Sequence, residues 1–311
     1  MSYTTKIKNE ILELELQKSE AIALLSGFIR NNGCVLDNEL VLTTENSLIK
    51  DKIIILLKDL YEVEIKIEIK DGLNFNKKDL YVMHICDKLD FILKGVCYFD
   101  DRGIYLETPK EYLVGSNSEI RSYLQGVFLT GGSINDPKTS RYHMEIVIRE
   151  ANEAVFVQKL LNIFDLNAKI LNRDKGYMVY IKEAESISDF LKIIGAMKAV
   201  LYFEDVRIYH ETKNHTNRLN NCEQANTDKI IDAANEQLKN IKVLEDNLAV
   251  ELLDDKTMEA LNYRKKYPEA SLKELSEIIS LETGNKITKS GLNHRYRKIN
   301  ELASRLTSRD N

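Results

Sequence analysis

Two short stretches decide the fold: LSGFIRNNG, Leu25 to Gly33, and LQGVFLTGG, Leu124 to Gly132. Each is an apolar helical run with glycine in the third place and another glycine where a helix would stop. Ser26 and Gly27 in the first run, and Gly126 beside Gln125 in the second, leave places where a second helix backbone can come into contact. Larger side chains would hold the two helices apart, so the runs are expected to pack on each other.

The flanking sequence repeats as well. The first run leads to a strand VLTTEN, a helix SLIKDKIIILLKDLY and the strand YEVEIKIEIK; the second leads to YHMEIVIRE, a helix ANEAVFVQKLLNIFD and LNAKILNR. From Val63 to Lys70 the pattern alternates strictly, with Val63, Ile65, Ile67 and Ile69 on one face, and this predicts a half-buried strand. LYVMHIC and YMVYIK supply a further strand to each unit, and a helix such as SISDFLKIIG, Ser186 to Gly195, lies close to the end. The expected architecture is α+β: two αββα-like units, about 20–100 and 118–208, form one pseudo-twofold αββαββα repeat domain over residues 1–210.

A chain of 311 residues, 43% hydrophobic and 30% charged, can bury a sizeable core and form two or three domains. No apolar run approaches the roughly 20 residues that span a bilayer, and the start lacks the apolar block of a secretory signal. A cytoplasmic protein without a membrane segment is expected. Cys34, Cys86, Cys97 and Cys222 lie far apart with no CxxC spacing, so they read as reduced, mostly buried thiols. The five histidines form no HExxH motif, and neither a metal nor any other cofactor is expected.

Charge is divided along the chain. From Lys256 to Asn311 there are 12 Lys and Arg against 7 Asp and Glu, whereas residues 1–255 hold 32 basic and 42 acidic residues. A polyanion is repelled by the first part and attracted by the last. Between them, the Asn-rich KNHTNRLNN reads as turns capped by Asn214, Asn217, Asn220 and Asn221, making 211–250 a hinge followed by an amphipathic helix from near Ala225.

In the last segment, 251–311, KTMEALNYRKKYP reads as a helix ended by Pro268. SLKELSEIIS opens with Ser271 and Glu274 at capping-box spacing. A further helix begins near TKSG, with Leu292, Tyr296, Ile299, Leu302 and Leu306 as its apolar stripe. These helices make an all-α helix-turn-helix over about 271–305, with a connector longer than usual at Leu281 to Ile287. Lys289, Ser290, Asn293, His294, Arg295, Arg297 and Lys298 are the candidate contacts to double-stranded DNA. Asn293 and Arg297 suit base edges, and Lys289, Arg295 and Lys298 suit phosphates.

The paired runs and their strands resemble the LAGLIDADG homing endonucleases, in which two such helices form the central interface beneath a saddle of strands. That resemblance implies a metal-binding acid at the eighth position of each motif, which here is Asn32 in one and Gly131 in the other. Neither supplies the carboxylate a hard cation needs. Asp37 and Asp136 lie nearby but read as turn acids. Glu62, Glu64 and Glu68 among the strand positions, only partly offset by Lys66, Lys70, Lys169 and Arg173, argue for a repeat domain that binds DNA weakly or holds a protein partner.

The order of parts, with TTKIKNEI, RSYLQGVFLTGGSINDP, FEDVRI, NRLNNCEQAN and KSGLNHRYRKINELA, resembles the WhiA family of bacterial regulators over essentially the whole chain. The resemblance implies sequence-specific DNA binding through the C-terminal module, transcriptional control tied to sporulation or to cell division and chromosome organisation, and no endonuclease activity. Two other classes remain open: a residual metal-dependent endonuclease, and a scaffold that binds a protein partner through the acidic repeat domain.

Overall fold

The two glycine-bearing runs form the C-terminal parts of α2 (Lys18–Asn32) and α5 (Asn117–Gly131), which lie against each other at the centre of the repeat domain. The structure, a computed structural model, describes residues 1–70, 79–139 and 141–307. It divides into two compact units, residues 1–210 and 211–311.

The glycines set the closeness of the helix pair. A Cβ placed on Gly126 would stand 2.0 Å from the Leu24 carbonyl oxygen, and one on Gly27 would stand 2.4 Å from that of Tyr123. Backbone meets backbone at both places. Around the pair each repeat follows the same course. The first runs α2, β1 (Cys34–Leu36), β2 (Glu39–Thr44), α3 (Ser47–Tyr61), β3 (Lys66–Lys70), β4 (Leu80–Ile85) and α4 (Leu89–Gly95). The second runs α5, β5 (Gly132–Ile134), β6 (Met144–Ile148), α6 (Ala151–Asn162), β7 (Lys169–Arg173), β8 (Gly176–Ile181) and α7 (Ala184–Ile193). The two antiparallel sheets share one order, β1-β2-β4-β3 and β5-β6-β8-β7. An additional helix, α1 (Tyr3–Leu12), buries Tyr3, Ile7 and Ile11 in the core of the second repeat.

In β2 and β6, alternate residues such as Leu40, Leu42, Ile146 and Ile148 enter the core, and the intervening positions form the opposite sheet face. The strand expected to be half-buried from Val63 to Lys70 is so only at its start. Val63 is buried, but Ile67 and Ile69 are 46% and 60% exposed. β3 is an edge strand, and the core covers only its approach. The thiols also depart from expectation. All four are free, but Cys34, Cys86 and Cys222 are exposed and only Cys97 is buried.

The Asn-rich tract is helical rather than turned. It lies within α8 (Met197–Asp246), a stretch without a glycine or proline to stop it. An Asn inside a helix costs only about 0.7 kcal/mol relative to Ala, less than neighbouring helical hydrogen bonds supply. The last part of α8 belongs to the C-terminal unit, where Ala234, Ile241 and Leu244 are buried. Ile241 and Leu244 share a core with Leu261 of α9 (Asp255–Lys266), Leu275 and Ile279 of α10 (Leu272–Thr283), and Leu292, Tyr296 and Ile299 of α11 (Lys289–Thr307). The expected capping box is present, since Ser271 Oγ accepts from the Glu274 amide and Glu274 Oε2 accepts from the Ser271 amide. The connector begins at Gly284, in the left-handed region at φ 72°, and ends before Lys289. Leu281 to Thr283 thus belong to α10.

Candidate nucleic-acid interface

The apolar stripe of α11 fixes which of its polar residues face outward. Leu292, Tyr296, Ile299 and Ala303 pack inward, and the Tyr296 hydroxyl donates to the Ala260 carbonyl at 2.7 Å. Ser290, His294 and Arg297 therefore project along one open face, three to four residues apart, with Lys289 exposed at the helix start and Asn293 half-buried beside them. Among the described residues none of these five side chains has a hydrogen-bond or ion-pair partner. Thr288 opens the helix by accepting the Gly291 amide on its hydroxyl.

The remaining two candidates are engaged within the unit. Arg295 donates to Glu259 Oε2 at 2.8 Å and to the Lys256 carbonyl, which ties α11 to α9. Lys298 pairs with Asp254, the N-cap of α9. The Lys298 ammonium, with Thr257, holds the Asp254 carboxyl well below the usual carboxylate range. The seven residues are neighbours on one helix, but the fold separates five open groups from two that brace α11 against α9.

In the repeat domain, the eighth position of each glycine-bearing run has structural employment. Asn32 Oδ1 accepts the Thr43 amide at 2.8 Å, fastening the end of α2 to β2. Gly131 lies against β6, where a Cβ would stand 2.2 Å from the Val147 carbonyl oxygen and 2.8 Å from Asn31 Nδ2. A carboxylate side chain has no room there. Asp37 and Asn38 both have positive φ in the β1–β2 turn, and Asp136 accepts from the Lys138 amide and the Tyr202 hydroxyl. Both acids are turn residues. On the open sheet faces Glu39 and Glu68 flank His84, and Glu145 contacts His143 and Arg173. These glutamates are met by neighbouring cationic or histidine groups within their own sheets.

Two features escaped the sequence reading. Arg30, next to the glycine contact, is buried and faces the Glu153 carboxylate of α6 at 3.7 Å. It donates to the Leu106 and Cys97 carbonyls, and Tyr123 donates to Glu153. The available signal was a single arginine inside an otherwise apolar motif helix. The other feature is Lys8 of α1, beside a cavity of about 510 Å³ that reaches Asn32 and Thr130. Its ammonium stands 5.7 Å from the centre of the Phe128 ring, and burial pushes its pKa down to about 8.

An ammonium with a folded pKa below its unfolded value of about 10.4 lowers stability at neutral pH. That cost fades between about pH 8 and 10.4, where the unfolded chain still holds a proton the folded chain has released. Lys8→Met is therefore expected to raise the thermal midpoint at pH 7, with an advantage that shrinks as pH rises through this window. A constant difference from pH 7 to 10 in thermal melts would show that the charge of Lys8 is irrelevant.

A duplicated LAGLIDADG-like domain followed by a helix-turn-helix defines the class of protein. Family models match in the same order: the WhiA N-terminal LAGLIDADG-like domain over residues 18–96, the WhiA LAGLIDADG-like domain over 120–213, and the WhiA C-terminal HTH domain over 216–303. Relatives from Bacillus cereus strain B4264 and Bacillus anthracis strain CDC 684, each called a probable cell division protein WhiA, are 40% identical over 98% of this chain and 97% of their own length. The crystal structure of full-length DUF199/WhiA from Thermatoga maritima has a TM-score of 0.60 at 23% identity, covering 98% of this chain and 99% of that one. The isolated N-terminal LAGLIDADG domain of DUF199/WhiA gives 0.51 at 23% identity over 62% of this chain and 90% of that one. The chain belongs to the WhiA family. No helix among its described residues is long and apolar enough to cross a membrane.

Proposed function

We propose that the chain is a cytoplasmic, nucleoid-associated transcriptional regulator that binds specific DNA sequences through α11 and is linked to sporulation or to cell division and chromosome organisation. The repeat domain acts without nuclease activity. The observation that carries the DNA reading is the unpartnered face of Lys289, Ser290, Asn293, His294 and Arg297 in the first half of a helix-turn-helix second helix. The Bacillus relatives named as probable cell division proteins support the biological setting. Absence of cleavage is supported by the Gly131 backbone contact and by Asn32's use of its amide oxygen on Thr43. The paired glutamates of the sheet faces favour a protein partner on the repeat domain over tight DNA binding.

The division of labour on α11 is testable by titrating full-length protein against its preferred site, found by crosslinking to genomic DNA, and against random duplex. Asn293→Ala or Arg297→Ala should cost about 1–3 kcal/mol on the preferred site and little on random DNA. Lys289→Ala should weaken both alike and lower the log-log salt slope by about one. Lys298→Ala should change that slope less than Lys289→Ala, because its ammonium is already paired with Asp254. Uniform losses from all four variants on both DNAs would make α11 an electrostatic anchor and remove sequence reading from it.

A further inference from the structure

The C-terminal unit contains a cavity of about 370 Å³ between the end part of α8, the α9–α10 turn and the starts of α10 and α11. Its wall carries four cationic side chains: Lys229 of α8, Arg264 of α9, Lys273 of α10 and Lys289 of α11. No Asp or Glu among the described residues lines it. None of the four has a carboxylate partner among the described residues. The acids adjacent to these cations in sequence are engaged locally: Glu274, next to Lys273, accepts the Ser271 amide in the cap of α10, and Asp228, next to Lys229, accepts from Gln224 Nε2. Like-charged groups gathered around a concavity without an internal counter-ion repel one another, and an anion from outside relieves that repulsion.

One buried side chain in the wall points the same way. Arg264 is 1% exposed; its Nη1 donates to the Tyr267, Pro268 and Ala270 carbonyls, and its Nε has no hydrogen-bond partner among the described residues. The 12-residue helix α10 also begins at this cavity, where the amides of Leu272 and Lys273 belong to the first turn and have no intrahelical acceptor. Free amides, a helix N-terminus and lysines together are a phosphate-binding arrangement. Ile230, Ala233, Ala234, Ala270 and Leu272 give the wall an apolar part that suits the carbon face of a sugar.

We infer that this cavity binds a phosphate group, and that the group is a backbone phosphate of the DNA held by α11. Lys289 is the link, because it stands at the cavity rim and immediately precedes Ser290 on the open face. A duplex on that face brings its backbone to the rim, where Lys229 adds a contact from outside the helix-turn-helix. This inference rests on the DNA reading above.

The test uses full-length protein with Lys229→Ala, Lys273→Ala and the double substitution; both lysines are exposed, so the core is left alone. Binding to the preferred site and to random duplex is measured from 50 to 200 mM salt. The double variant is expected to bind both several-fold more weakly, with a log-log salt slope smaller by about one. Inorganic phosphate, compared with chloride at equal ionic strength, distinguishes the sources. If phosphate raises the thermal midpoint of the wild type but not of the double variant, while the salt slopes are equal, the site takes free phosphate and the DNA assignment is overturned. Equal slopes with no phosphate effect overturn the phosphate site while the role of α11 stands. Failure of the wild type to bind any duplex defeats the DNA reading itself.

Discussion

Gly126→Val is expected to lower the thermal midpoint of the repeat domain by roughly 6–12 °C. The reason is the 2.0 Å separation between a Cβ at this position and the Leu24 carbonyl oxygen. Inserted carbon in a packed core ordinarily costs 1–3 kcal/mol, much of it relieved when side chains rotate away. Here the obstacle is backbone of the neighbouring helix, so α2 and α5 must part along their length. A cost of about 3 kcal/mol, at roughly 2–4 °C per kcal/mol for a domain of this size, gives the stated shift. Gly115→Ala is the control, since its Cβ would meet nothing closer than the Tyr112 carbonyl at 3.5 Å. Circular-dichroism melts of the full chain measure both, and a Gly126→Val midpoint within 2 °C of wild type, roughly the effect of under 1 kcal/mol, would mean that the helices are not held at backbone contact.

Glu153→Ala should be at least as damaging. It leaves the Arg30 guanidinium buried with carbonyl partners and no counter-charge, and an arginine cannot escape by losing its proton. Removing one partner of a buried pair in this way costs about 3–5 kcal/mol. Arg30→Met should cost less, because Glu153 can neutralise itself. Burial already raises its pKa, with the Arg30 charge pulling it back down. Without Arg30 the folded-state pKa rises further above the unfolded value of about 4.3. Stability of Arg30→Met is then fullest below that value and falls as pH rises toward the folded pKa. Chemical denaturation at several pH values checks the asymmetry; equal losses from the two variants, independent of pH, would mean that the pair is not a charged one.

Much of the repeat architecture was legible because it depends on local pattern. The matching glycines of LSGFIRNNG and LQGVFLTGG, and the strands and helices after them, carry the pseudo-twofold plan through side-chain periodicity, which a sequence displays directly. The same holds for the Ser271–Glu274 cap and for Leu292, Tyr296 and Ile299 of the apolar stripe, whose spacing places the open face of α11. The turn reading of Asp37 and Asp136 likewise needed only local chemistry.

What was not legible depended on partners distant in the chain. The exposure of Ile67 and Ile69 follows from the extent of the core beside an edge strand, and alternation alone cannot express it. Asn favours turns locally, but in the Asn-rich tract an uninterrupted helix with no glycine or proline outweighs that preference. Arg295 and Lys298 have the composition of DNA contacts; their pairing with Glu259 and Asp254 arises only when α9 and α11 are brought together.

The duplicated α+β plan, the glycine contact between its central helices, the lack of a carboxylate at Asn32 and Gly131, and the basic helix-turn-helix at the C-terminal end are all readable from residue type and short-range spacing. The sealing of Gly131 by the Val147 backbone, the meeting of Arg30 and Glu153 in the core, and the gathering of Lys229, Arg264, Lys273 and Lys289 around one cavity emerge only when the chain is folded. Burial and charge pairing are set by which distant segments become neighbours, and no local pattern encodes that adjacency.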